Sequence, residues 1–113
     1  MGFTTRPEIK GTFGVATSTH WIASAVGMKI LEAGGSAADA AAAMGFTLQV
    51  VESHLNGPLG DMPALVRTAG EDAPVVICGQ GVAPAGASIE HYRAEGLERI
   101  PGSGLLATVV PGS

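Results

Sequence analysis

GMKILEAGGSAADAAAAMGFTLQVVESHLNGPLGD, residues 27 to 61, is the stretch that decides how the chain folds. Gly34 and Gly35 cut it in two, because glycine enters the left-handed conformation that ends a helix without a Cβ penalty. Upstream of the cut, Ala23, Val26, Gly27, Ile30 and Leu31 recur at the spacing of one helical face, with Lys29 and Glu32 on another side. That spacing predicts an amphipathic helix beginning near His20. Ser18 or Thr19 is expected to cap it by accepting hydrogen bonds from its first free N–H groups. Downstream, Ser36 starts a second helix, and Asp39 three residues on gives a near capping-box arrangement suited to the positive end of the helix dipole. Residues 37 to 51, AADAAAAMGFTLQVV, have no polar face, since Asp39, Thr47 and Gln49 point in scattered directions. Such a helix is expected to be surrounded by protein, its alanines admitting neighbouring backbones closely.

Outward from this stretch the periodicity shortens. Phe13 to Ala16, FGVA, reads as a short strand after a flexible lead of residues 1 to 12. Ser53 to Asp61 is loop, and ALVRT (64 to 68) and VVIC (75 to 78) read as two strands of a hairpin joined by AGEDAP. GQGVAPAGAS is a second glycine- and proline-rich loop, Ser88 can cap a mostly polar helix over 89 to 100, and SGLLATVVPGS reads as a strand and turn. The fold class is α+β.

Composition limits the partners. The chain has 113 residues, 46% hydrophobic and only 14% charged, which leaves little polar material to cover a small globule and implies that the apolar excess meets further chain or a partner. Net charge is −4 and the six basic residues are scattered, which argues against nucleic acid. The longest nearly apolar run, Ala40 to Val51, falls short of the ~20 residues that cross a bilayer. MGFTTRPEIKG has no continuous apolar core to act as a secretion signal, so a cytoplasmic location and no membrane are expected. The single cysteine, Cys78, lies in the apolar run VVIC, where a buried reduced thiol is the ordinary reading.

Little in the residues themselves announces chemistry. His20, His54 and His91 are far apart without helical pairing, so no metal site is expected. His54 has Glu52 and Asn56 nearby in a loop that could line a cavity, or it bonds backbone as loop histidines commonly do. Neither glycine loop makes a phosphate cradle: Gly57-Pro58-Leu59-Gly60-Asp61 lacks a Lys-Ser/Thr ending, and Gly79-Gln80-Gly81 lacks the third glycine of a dinucleotide fingerprint. No cofactor is implied. No serine sits in a G-x-S-x-G elbow. Thr19-His20 could supply a nucleophile only if cleavage exposed Thr19 as an N-terminus, so Ser18 and Thr19 read as helix caps.

The order of the pieces, FGVATSTH-x-x-AS, GMKILEAGGSAADAAAAM, TLQVVESHLNGPLGD, GQGVAPA and LLATVVPG, resembles the N-terminal part of the large subunit of the γ-glutamyltransferase family, from Phe13 to the end. The resemblance implies that residues 1 to 113 are the N-terminal fragment of a four-layer αββα N-terminal-nucleophile hydrolase, made as a precursor that cleaves itself into two subunits. It implies transfer or hydrolysis of the γ-glutamyl or related acyl group of glutathione-like amides by an N-terminal threonine of the small subunit. No catalytic residue lies in this chain, which alone would be inactive and would need the small subunit or missing C-terminal chain as its partner. The alternative is a truncated, non-catalytic relative acting as a binding or structural fragment.

One substrate-binding position is implied within the chain. The family's G-R-x-x-A-P arginine, which grips the α-carboxylate of the glutamyl group, corresponds to Gln80 in Gly79-Gln80-Gly81-Val82-Ala83-Pro84. Either another basic residue such as Arg67 compensates, or the substrate is not an ordinary γ-glutamyl compound. Leu59 replaces a glycine usual after His54, and Pro63 stands where an aromatic is common.

Overall fold

A computed structural model describes residues 8 to 112 and divides the chain into two compact units, one ending at Gly57 and one starting at Pro58. Residues 1 to 7 of the expected flexible lead lie outside the described residues; residues 8 to 12 carry no helix or strand and are exposed.

The first unit is a pair of packed helices, α1 (Trp21–Glu32) and α2 (Ala37–Val51). The cap of α1 differs from the expected Ser18 or Thr19. It is His20, whose Nδ1 accepts from the Ile22 N–H at 3.2 Å. Both hydroxyls are engaged elsewhere: Ser18 donates to the His20 carbonyl at 2.7 Å and lies 2.8 Å from the Ser24 hydroxyl, while Thr19 donates to the Glu52 carboxylate.

Gly34 ends α1 as its sequence requires, with φ +90°, the Gly34 N–H on the Leu31 carbonyl at 3.0 Å and the Gly35 N–H on the Ile30 carbonyl at 2.9 Å. These two crossed bonds satisfy carbonyls that the helix leaves open. Ser36 then begins α2 with a complete capping box. Its Oγ accepts from the Asp39 N–H at 3.2 Å, and the Asp39 carboxylate accepts from the Ser36 N–H at 2.8 Å and the Ser36 hydroxyl at 2.7 Å. Those hydrogen bonds, from the Ser36 side chain first and its backbone second, hold the Asp39 carboxyl below its ordinary pKa of 3.8.

Small residues make the helix contact. Ala23 and Ala40 are buried, and Gly27 faces the Met44 side chain so closely that an added Cβ would overlap its sulfur. Thr47 hides its hydroxyl by donating to the Ala43 carbonyl at 2.7 Å. The rest of α2 is not covered within this chain: Phe46 is 70% and Val50 79% exposed, so the protein expected to surround this helix is not supplied by the described residues. FGVA is not a strand, because its described unit holds two helices and no strand for it to pair with.

In the second unit β1 (Met62–Val66) and β2 (Val75–Gly79) form an antiparallel hairpin with register from Met62 opposite Gly79 to Val66 opposite Val75. β1 starts two residues before the expected ALVRT and stops short of Arg67, whose Nε–H instead donates to the Glu71 carbonyl at 3.0 Å across the connection. Pro63 fits because a strand at the edge of a sheet can do without one N–H. Alternation sorts Pro63, Leu65, Val76 and Cys78 to one face and Met62, Ala64, Val66 and Ile77 to the other, so both faces are apolar. Cys78 is exposed here, against the expected buried thiol, since no other layer of the unit lies over its face.

α3 (Ile89–Ala94) begins at Ser88, which accepts from the His91 N–H at 3.2 Å. It ends well before Ile100, because Gly96 at φ +76° repeats the crossed bonds of α1, its N–H on Arg93 and that of Leu97 on Tyr92. The last segment makes a 3₁₀ turn at Leu105–Ala107 rather than the expected strand, after Gly104 at φ +86°. One N–H, that of Val110, reaches the Val82 carbonyl at 2.9 Å, and a single bond does not make a ladder. No described helix is long and apolar enough to cross a membrane.

Candidate functional site

Gln80 leaves the end of β2 at a crossing of two backbones. On one side Gly79 lies against Met62, whose carbonyl oxygen would be 2.7 Å from an added Cβ. On the other, a Cβ at Gly81 would overlap the Val110 carbonyl oxygen and come within 2.8 Å of the Val109 side chain. Gly112 completes the crossing, with its Cβ position 2.7 Å from the carbonyl carbon of Gln80 and from the nitrogen of Gly81. Glycine is required at these positions for close approach, not for an unusual φ. The backbone carrying Gln80 is thus held from both sides.

Its side chain is oriented as well. Gln80 is exposed, and the Cys78 thiol donates to its Oε1 with sulfur and oxygen 3.2 Å apart. This contact escaped the reading of the sequence, in which the strand VVIC ends at Cys78 and Gln80 falls in the following loop; the one signal was their spacing of two, that of a strand face.

Arg67 is not brought to Gln80. The hairpin register places Arg67 just beyond the Val66–Val75 pair and Gln80 just beyond the Met62–Gly79 pair, at opposite ends. Their levels lie six residue steps apart, roughly 20 Å. The Arg67 guanidinium is occupied with the Glu71 carbonyl.

In the first unit Glu52 ends α2 and gathers Thr19 through its carboxylate and Asn56 through its carbonyl, the latter at 3.3 Å. His54 is exposed in the following turn. Among the described residues no group of three His, Cys, Asp or Glu side chains is placed to hold a metal. A hollow of about 330 Å³ in the second unit lies between α3 and the last segment, lined by Pro84, His91, Tyr92, Leu105, Leu106 and Thr108 among others, with the Tyr92 hydroxyl donating to the Leu106 carbonyl at 2.8 Å. Gln80 does not line it.

Residues 23 to 113 match the sequence model of the γ-glutamyltranspeptidase family. Among curated proteins, the chain is 42% identical over 82 residues to the acylase ACY 1 proenzyme of Pseudomonas sp. (strain SE83), covering 73% of this chain and 14% of that protein. It is 33% identical over 91 residues to the glutathione hydrolase proenzyme of Bacillus subtilis subsp. natto, covering 80% and 16%. It is 37% identical over 93 residues to the oxamate amidohydrolase proenzyme of Klebsiella pneumoniae subsp. pneumoniae, covering 82% and 17%. Among solved structures, LmbA2991HD is 56% identical with a TM-score of 0.84, covering 99% of this chain and 19% of that one. The γ-glutamyltranspeptidase of Helicobacter pylori is 34% identical with a TM-score of 0.78, covering 94% and 31%. The mixed helices and small sheet of this chain therefore follow part of a γ-glutamyltranspeptidase fold. The chain spans 14% to 17% of the three curated relatives.

Proposed function

The chain belongs to the γ-glutamyltranspeptidase family, and from that premise we propose that residues 1 to 113 are the opening segment of the large subunit of an enzyme that transfers or hydrolyses acyl groups of amides. The observation that carries this reading is apolar surface left uncovered in each unit. α2 has no polar face, and both faces of the hairpin are apolar, with Phe46, Val50, Leu65 and Val76 all at least 70% exposed. Strands apolar on both faces belong inside a sheet covered on both sides, as in an αββα sandwich. The remaining chain, including a small subunit released by self-cleavage, would supply the covering layers.

In this reading the nucleophile is a threonine at the new N-terminus of the small subunit. Its hydroxyl oxygen forms a bond to the acyl carbon, its proton passes by way of the α-amino group to the departing nitrogen, and the C–N bond breaks. Water or a second amine then attacks the ester and restores the hydroxyl. The present segment supplies scaffold and one wall of the acyl site, and by itself has no activity.

Gln80 is the residue of that wall. It occupies the position of the family's arginine without its charge, so an ordinary γ-glutamyl group loses the partner of its α-carboxylate. Arg67, at the far end of the hairpin, is poorly placed to compensate. The names acylase and oxamate amidohydrolase among the relatives support a wider range of acyl groups than γ-glutamyl.

The test uses the complete reading frame that carries this segment. The expected product is two polypeptides after self-cleavage, with release of p-nitroaniline from at least one acyl p-nitroanilide. Replacing Gln80→Arg should raise kcat/KM for γ-glutamyl p-nitroanilide about 10-fold, the value of a charge-assisted pair over a neutral one. An unchanged kcat/KM refutes the role of Gln80. A complete protein that neither cleaves itself nor hydrolyses any amide tested would instead be a non-catalytic binding or structural relative.

A further inference from the structure

We propose that Cys78 is a positioning residue for Gln80, and that the pair selects an acyl group whose far end carries a neutral oxygen (carbonyl, amide or hydroxyl) in preference to a carboxylate. The proposal rests on the reading of Gln80 as a wall of the acyl site and names the substrate class that site takes.

A primary amide has two unlike ends, one oxygen that accepts and one NH2 that donates twice. Left alone on an exposed strand end, it turns over and presents either end. Here the Cys78 thiol, on the same face of β2, donates to Oε1 at 3.2 Å. A thiol donor selects the oxygen, which leaves the NH2 as the free end of the side chain. The crossing of Gly79 and Gly81 with Val110 and Gly112 fixes the backbone beneath it. The outcome is an amide held in one orientation, with its NH2 as the outward end.

Charge then decides between ligands. The cation of the hairpin, Arg67, stands just beyond its other end, past the Val66–Val75 pair. A carboxylate arriving at Gln80 would give up water for a neutral donor, with no cation of the hairpin to pair it. A neutral oxygen gives up far less and is satisfied by the same NH2.

The complete, self-cleaved enzyme tests this with two acyl p-nitroanilides of equal chain length, one ending in a carboxylate and one in a primary carboxamide. The wild type should favour the carboxamide donor. Cys78→Ala should raise KM for that donor about 3- to 10-fold with kcat unchanged, the worth of one hydrogen bond. Cys78→Ser, which keeps a donor at the same place, should stay within about twofold of wild type on the same scale. Gln80→Met, which keeps the length of the side chain but has no N–H to donate to the substrate, should lose the carboxamide preference.

An unaltered KM in Cys78→Ala, or a Cys78→Ser no better than Cys78→Ala, overturns the role of Cys78 and leaves Gln80 in the site. A wild type that favours the carboxylate overturns the substrate class. Gln80→Ala with both KM values unchanged overturns the reading of Gln80 itself, and turnover of neither donor by the wild type counts against the acyl-transfer function beneath it.

Discussion

The helical pair of residues 20 to 57 and the strand-and-loop region of residues 58 to 112 are held together by different means. In the first, nearly every interaction that fixes a helix end spans five residues or fewer: His20 to Ile22, Ser36 to Asp39, Gly35 to Ile30. In the second, the decisive contacts join residues far apart in the chain: Val82 with Val110, Tyr92 with Leu106, Gly79 and Gly81 with Gly112. Both regions use glycine to bring backbones together. What differs is what the glycine faces, the flexible Met44 side chain in one and rigid carbonyl groups in the other.

That difference predicts unequal tolerance. Gly81→Val should be the most damaging change, about 3 kcal/mol, because the Val110 carbonyl cannot move without breaking its own N–H bond to Val82. Urea unfolding and amide exchange at Val110 would measure it, and a cost under about 1 kcal/mol would abolish the contrast between the two regions. Gly27→Val should cost about 1–2 kcal/mol, since the tip of Met44 can turn aside. Pairing it with Met44→Ala should recover about 1 kcal/mol in a double-mutant cycle, and strict additivity would show that the helices do not meet at this point. Ser36→Ala should cost about 1 kcal/mol, seen as lost helical circular dichroism, and should leave the strand region unaffected.

The smallest effect is one of pH. The Asp39 carboxyl is held below its ordinary pKa by the hydrogen bonds of Ser36, so the folded state binds that proton less readily than the unfolded chain. Its contribution is fully present above the unfolded value and is lost as pH falls through the folded one. Glu90 at the start of α3 is shifted in the same direction, by its own backbone N–H first and by Ser88 second. Acid titration followed by circular dichroism should show loss of α2 helicity below the ordinary aspartate range, blunted in Asp39→Asn. An identical acid transition in that variant would assign the loss to other carboxylates.

Legibility in the sequence followed the same division. Gly34, Gly35, Ser36 and Asp39 act within one helical turn of where they stand, so their roles could be read from the chain alone. His20 was missed as a cap because the choice among Ser18, Thr19 and His20 turned on Ser24 and Glu52, the latter 33 residues from Thr19. The hairpin was recovered with β1 displaced, since an apolar run shows that a strand exists better than where its partner begins. α3 stops at Ala94, short of the expected Ile100, because Gly96 inside the polar run takes a left-handed turn. At the candidate site, Gln80 could be named only through the family resemblance. Its thiol partner was two residues away, and its glycine crossing required Val110 and Gly112 to be placed in space.

The crossing at Gly81 and Gly112 also sets an order of events. The helical pair can form as soon as Val51 has been synthesised, whereas the support beneath Gln80 closes a loop of ~30 residues and waits until Gly112 is available. A nascent chain stopped before Val109 would already carry its helices and hairpin, yet Gln80 would still lack half of its backbone support. The residue proposed to choose the substrate is thereby among the last of this segment to be fixed in place.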